Sequence, residues 1–162
     1  MQIERINLDT DLPLVQDVIQ RSFSQTPDSN IDDWFSINEM VNSIQSKCGI
    51  CLKATNGNGI IGIIHAQTEN PINGREGKEK WAITNISVIP NETGKGVGSQ
   101  LLRKIEEEAR ILNVIKMFVH TNEGDDKVIH FYKKNGYQDA GSIRDYYYDG
   151  SAVFLIKYLS QS

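Results

Sequence analysis

Val88-Ile89-Pro90-Asn91-Glu92-Thr93-Gly94-Lys95-Gly96-Val97-Gly98-Ser99-Gln100 is the stretch on which the reading of this chain turns. The run before it, Trp81 to Ile89, is apolar and reads as a strand that Pro90 ends. After it, Leu101, Leu102, Ile105, Ala109 and Leu112 recur at helical spacing. The segment is therefore a strand, a glycine-rich turn and the first turn of a helix. A helix start leaves four backbone N–H groups unpaired and carries the positive end of the dipole. Glycines at 94, 96 and 98 clear side chains from those donors, and Lys95 adds a positive charge, which together suit a diphosphate. The spacing fits neither the Walker loop nor the dinucleotide fingerprint, because no Lys-Ser/Thr pair follows and Leu101 stands where a small residue is needed. On spacing alone, an anion cradle and a plain structural turn both remain open.

Upstream, Gln2 to Asn7 reads as a strand, and Thr10 or Asp11 caps a helix with Pro13 in its first turn. A second helix starts at the capping box Ser36-x-x-Glu39, with Ile37, Met40, Val41 and Ile44 inward. Cys48 to Ala54 and Ile60 to Glu69 read as two strands joined by Thr55-Asn56-Gly57-Asn58-Gly59, and His65 reads as a structural mid-strand residue. Asn70 to Lys80 reads as an exposed loop. Cys48 and Cys51 form a C-x-x-C without a second ligand pair; residues three apart on a strand face opposite ways, so two reduced thiols are expected. Downstream, Arg103/Glu107, Lys104/Glu108 and Glu106/Arg110 read as a solvated helix face. Val114 to Thr121 is apolar enough to predict a strand buried on both sides. Asp125 or Asp126 caps a further helix with Val128, Ile129 and Tyr132 inward, Asn135-Gly136 stops it, and two strands turn at Asp149-Gly150.

The chain of 162 residues carries a net charge of −4, with 39% hydrophobic and 23% charged residues, which argues against a general nucleic-acid or anionic-membrane surface. No stretch approaches the roughly 20 apolar residues of a membrane span. The first residues lack a signal-peptide pattern, so a cytoplasmic protein is expected. No repeat or linker divides the chain, and residues 1–162 are read as a single domain.

The run Asn85-Ile86-Ser87-Val88-Ile89-Pro90 followed by Gly94-Lys95-Gly96-Val97-Gly98-Ser99-Gln100-Leu101-Leu102 resembles motif A of the GCN5-related N-acetyltransferases (GNAT). Phe131-Tyr132-Lys133-Lys134-Asn135-Gly136-Tyr137 resembles that family's second signature. The resemblance spans Trp81 to Tyr158 and is similar in pattern to the branch that acetylates protein N-termini. It implies the family's α/β (α+β) fold in the order βααβββαβαββ. That fold has a mixed, mostly antiparallel sheet with a central parallel strand pair and helices on both faces. Residues 1–80 would form the acceptor-side half and 81–159 the half that binds acetyl-coenzyme A.

The resemblance also implies roles. Ile86, Ser87 and Val88 lie along the pantetheine arm, and Thr93, Gly94, Lys95, Gly96, Val97, Gly98 and Ser99 surround the diphosphate. Thr93 stands where the family has Arg or Gln. Asp125 matches an Asn that contacts the coenzyme, and a carboxylate cannot donate as that amide does. Tyr132 is implied as general acid toward the leaving sulfur; a phenol keeps its proton at neutral pH. His120 matches a Glu that serves as base in the branch, and either takes that role or closes the strand as a polar residue. Trp34 and Phe35 are expected at the acceptor wall or as core anchors. Tyr146 and Tyr147 are expected beside the acceptor or as a hairpin or subunit surface, which leaves a homodimer open. Asp32, Asp33 and Glu69 offer negative charge to a cationic amine. Together these imply direct transfer from acetyl-coenzyme A to a primary amine of a small molecule or peptide, without a metal. Two other readings are a coenzyme A-binding sensor or interaction module, and a nucleotide-binding regulator.

Overall fold

The computed structural model describes residues 1–24, 35–68 and 80–159. Among them the elements run β1 (Gln2–Arg5), α1 (Leu12–Phe23), α2 (Ile37–Gln45), β2 (Gly49–Asn56), β3 (Gly59–Thr68), β4 (Lys80–Val88), α3 (Val97–Ile111), β5 (Lys116–Asn122), α4 (Asp126–Lys134), β6 (Gln138–Tyr147) and β7 (Gly150–Tyr158). This is the expected order. The seven strands form one sheet in the order β1-β2-β3-β4-β5-β7-β6, antiparallel except for the β4–β5 pair.

Helices cover both faces. Leu101, Leu102, Ile105 and Ala109 of α3, with Tyr132 of α4, pack against Ile50, Leu52, Ala54, Ile64, Ala66, Trp81 and Ile83. Val15, Val18 and Ile19 of α1 and Met40 of α2 pack on the opposite face against Cys51 and Ile63. The alternation of strand side chains assigns each residue to one core or the other, and bulges reset it twice. The β2–β3 register slips between Ala54 and Thr55, leaving Ile61 without a cross-strand partner. The β3–β4 register slips between His65 and Ala66, leaving Thr84 as the extra residue on β4. Before that bulge Trp81 and Ile83 face α3; beyond it Ile86 and Val88 do. Asn85, paired across the sheet with His65, is thereby turned toward α1 and α2.

Local signals behave largely as read. Ser36 caps α2 and accepts from the Glu39 amide at 3.2 Å. Gly136, at φ 90°, stops α4. Four readings change. Asp11 sits at the N-cap of α1, but its carboxylate takes Lys53 Nζ at 2.8 Å and the Asn7 amide instead of capping. Asp125 likewise precedes α4 without capping it. β5 is buried alternately, not on both sides: Met117, Val119 and Thr121 point inward while Phe118, His120 and Asn122 are half-buried. Glu106 is not on a solvated face. It is 2% exposed and bonded to Lys157 Nζ at 2.7 Å, with Arg110 3.8 Å away.

Both cysteines are free; Cys51 is buried, and burial pushes its thiol far above the usual range, while Cys48 lies just ahead of β2. Among the described residues, no helix is long and apolar enough to cross a membrane.

Candidate active site

The parallel pairing of β4 and β5 covers only Lys80–Ala82 against Lys116–Phe118. Beyond it the two strands diverge. Ile83 to Val88 and Val119 to Asn122 are left without each other, and a cavity of about 330 Å³ opens between them. Its walls include Ile83, Thr84, Asn85 and Ile86 from β4 and Val119 to Asn122 from β5. Phe23 of α1, Tyr147 of β6 and Val128 and Tyr132 of α4 also line it, so the gap runs through the sheet from one helical layer to the other. Strand edges facing such a gap offer backbone donors and acceptors to an extended ligand, as a missing strand would.

At one end lies the glycine turn. Pro90–Glu92 forms a short 3₁₀ turn and α3 begins after Gly96. Gly94 and Gly96 have φ of 80° and 84°, the left-handed region that side chains resist. A Cβ on Gly98 would meet the Phe131 ring at 3.4 Å, so this glycine admits close packing of α4 as well. The amides of Gly94, Gly96, Val97, Gly98 and Ser99 have no acceptor among the described residues. The donors of a helix start are thus left bare. Lys95 is exposed and pairs with Glu92 at 3.4 Å, and the Thr93 hydroxyl donates to the Ile89 carbonyl at 3.4 Å.

On the wall, Tyr132 is 2% exposed, edge-on to Phe131 and Tyr137. Burial pushes its phenol well above the ordinary tyrosine range, so it holds its proton. His120 Nδ1 lies 2.7 Å from the Tyr147 hydroxyl, and its ring packs edge-to-face with Tyr146 and at a tilt against Phe154, each at 5.2 Å. Partial burial lowers the His120 pKa, so the imidazole is neutral near pH 7. Tyr147 is pushed up to about 12, first by burial and then by Tyr146 and Asp125. The Asp125 carboxylate accepts from Thr121 Oγ1 at 2.9 Å.

The gap therefore brings together Ile86, His120, Asp125, Tyr132 and Tyr147. Ser87 and Val88 are packed away from it, Ser87 donating to Asn85 Oδ1 and Val88 entering the α3-side core. Tyr146 reaches His120 from a half-exposed position. Phe35 does not line the gap; it is 7% exposed in the α1–α2 core, edge-on to His65. Trp34, Asp32, Asp33, Glu69 and the loop before β4 lie outside the described residues, save Lys80, the first residue of β4. Sequence reading missed Phe23, Thr84 and Asn85 as wall residues; the β4 bulge that presents the last two has no local sequence signal. Among the described residues, no cluster of three or more His, Cys, Asp or Glu side chains is placed to hold a metal.

Residues 13–137 match the acetyltransferase (GNAT) family model, and the chain belongs to this family. It is an acetyl-coenzyme A-dependent N-acetyltransferase, with acetyl-coenzyme A as cosubstrate. Solved structures with the same fold include the ribosomal-protein-alanine N-acetyltransferase from Brucella melitensis, with 18% identity, TM-score 0.80, and 98% and 100% of the two chains covered. The ribosomal-protein-S18-alanine N-acetyltransferase from Escherichia coli aligns with 19% identity, TM-score 0.77 and coverages of 99% and 95%. An aminoglycoside 6'-N-acetyltransferase complexed with coenzyme A aligns with 17% identity, TM-score 0.77 and coverages of 100% and 99%. No curated protein sequence matches the chain.

Proposed function

We propose that the chain transfers acetyl directly to a primary amine of a small molecule or peptide in the gap between β4 and β5. The observation that carries this is the early end of the parallel pairing at Ala82 and Phe118, with Tyr132 and His120 lining the space beyond it. Residues 1–162 then act as one domain, 1–80 on the acceptor side and 81–159 on the cosubstrate side.

The residues present fit acetyl-coenzyme A. The bare amides of Gly94, Gly96, Val97, Gly98 and Ser99 hold its diphosphate at the start of α3. The free edge of β4 from Ile83 to Ile86 receives the amide-bearing arm as an added strand. The cosubstrate supplies the acetyl group activated as a thioester. Tyr132, buried and protonated, donates its phenolic proton to the leaving sulfur. His120, neutral, takes a proton from the amine at Nε2 when its Nδ1–H donates to Tyr147. The aromatic faces of Tyr146, Tyr147 and Phe154 fix that ring.

The acceptor enters from the α1 side, where Phe23 and His120 face the gap. A panel of peptide N-termini, polyamines, aminoglycosides and amino acids, assayed by thiol release from acetyl-coenzyme A, tests the reading. Turnover of at least one amine, strongly reduced in Tyr132→Phe, supports it; no turnover of any amine refutes it.

A further inference from the structure

A chain of polar groups, buried at His65 and half-buried at Ser43 and Thr84, ends in this gap, and proton counting fixes its direction. Ser43 of α2 donates its Oγ proton to the Met40 carbonyl at 2.7 Å. His65 Nε2 lies 2.9 Å from Ser43 Oγ, and His65 Nδ1 lies 2.5 Å from Thr84 Oγ1. A hydroxyl carries one proton. With that of Ser43 spent on Met40, Ser43 Oγ accepts from His65, which places the imidazole proton on Nε2. Nδ1 then carries a lone pair, and Thr84 must donate to it. The alternative acceptor for Thr84, the His65 carbonyl, is 3.5 Å away and does not compete. His65 is 1% exposed, and burial pushes it down to about 4, so the ring has one proton to place.

The consequence reaches the reaction site. Thr84 is the extra residue of the β4 bulge, is half-buried, and lines the gap with His120. Its proton is committed inward, so its oxygen offers the gap only lone pairs. We propose that Thr84 Oγ1 is an obligate hydrogen-bond acceptor for an N–H of the acceptor amine, locked in that sense by His65 and Ser43. This rests on the acetyl-transfer reading of the same gap. A neutral primary amine has two N–H bonds and one lone pair. Holding one N–H on Thr84 and offering the other to His120 turns the lone pair toward the acetyl carbon. His65 and Ser43 are positioning residues that act through Thr84.

The test has one arm independent of turnover. Nitrogen-15 NMR of histidine-labelled protein, with His65→Gln for assignment, should find His65 in the neutral Nε2–H form at pH 7; the Nδ1–H form overturns the lock. In kinetics with an amine that the wild type acetylates, Thr84→Val should lower kcat/KM for the amine at least tenfold, with KM for acetyl-coenzyme A within twofold. Thr84→Ser should recover to within threefold of wild type, and Ser43→Ala, which releases the tautomer, should fall between. Unchanged amine kinetics in Thr84→Val, or an equal loss toward acetyl-coenzyme A, overturns the proposal. Absence of turnover by the wild type on every amine refutes the transfer reading and this proposal with it, whereas a wrong tautomer or a silent Thr84→Val refutes the lock alone.

Discussion

His120 on β5 and Tyr147 at the end of β6 share a 2.7 Å hydrogen bond at the mouth of the gap, although 27 residues separate them. The contact depends on an irregular stretch of β6. The β6–β7 register slips between Ile143 and Tyr147, and Asp145 adopts φ 52°. Regular alternation would send Tyr146 and Tyr147 to opposite faces; here both rings pack against the same imidazole.

This pairing predicts a pH profile. A base must be neutral to accept a proton, and partial burial lowers the His120 pKa below 6.5. Activity should therefore fall as pH drops below that lowered value and level off above it. His120→Gln should abolish this acid limb and lower kcat by ~10²–10⁴-fold. Tyr147→Phe should lower kcat about tenfold, the cost of one hydrogen bond. Steady-state kinetics from pH 5 to 9 read all three.

Tyr132→Phe removes the proton offered to the sulfur while keeping the ring that packs on Phe131 and Tyr137. We expect kcat to fall ~10²-fold with little change in acetyl-coenzyme A affinity. Because burial raises this phenol well above its ordinary value, the wild type should show no basic limb from Tyr132 up to pH 10.

Much of the fold was legible because its signals are local. The glycine turn, the Ser36 cap, the Asn56–Gly59 hairpin and the Asn135-Gly136 stop each lie within a few residues of what they control. The site was legible only in part. Tyr132 and His120 follow from a family pattern, but Thr84 and Asn85 reach the gap through a bulge that no residue type announces. Glu106 reads as one more surface acid until Lys157, 51 residues away, is folded against it. Phe118 reads as buried because an apolar run does not reveal which face of its strand stays partly open.

That buried pair makes a stability prediction. Glu106 Oε2 is held by Lys157, which also donates to the Asn135 carbonyl at 2.9 Å, so Lys157→Met leaves the enclosed carboxylate with only Arg110, 3.8 Å away. The loss should be about 3–5 kcal/mol. Glu106→Gln combined with Lys157→Met should recover part of it, as measured by denaturant unfolding.

Gly96→Ala places a side chain on a residue at φ 84°, where left-handed backbone costs about 1–2 kcal/mol. The added Cβ meets nothing nearer than Gln100 Nε2 at 3.9 Å, so the cost is conformational and not a clash. Acetyl-coenzyme A binding, followed by calorimetry, should weaken as the start of α3 shifts.

Amide NMR during titration with coenzyme A tests most directly whether the gap between β4 and β5 and the start of α3 form one binding track. The account predicts shifts concentrated at Gly94–Ser99, Ile83–Ile86 and Val119–Asn122. Saturable binding whose shifts fall elsewhere, or no binding at millimolar coenzyme A, would contradict it.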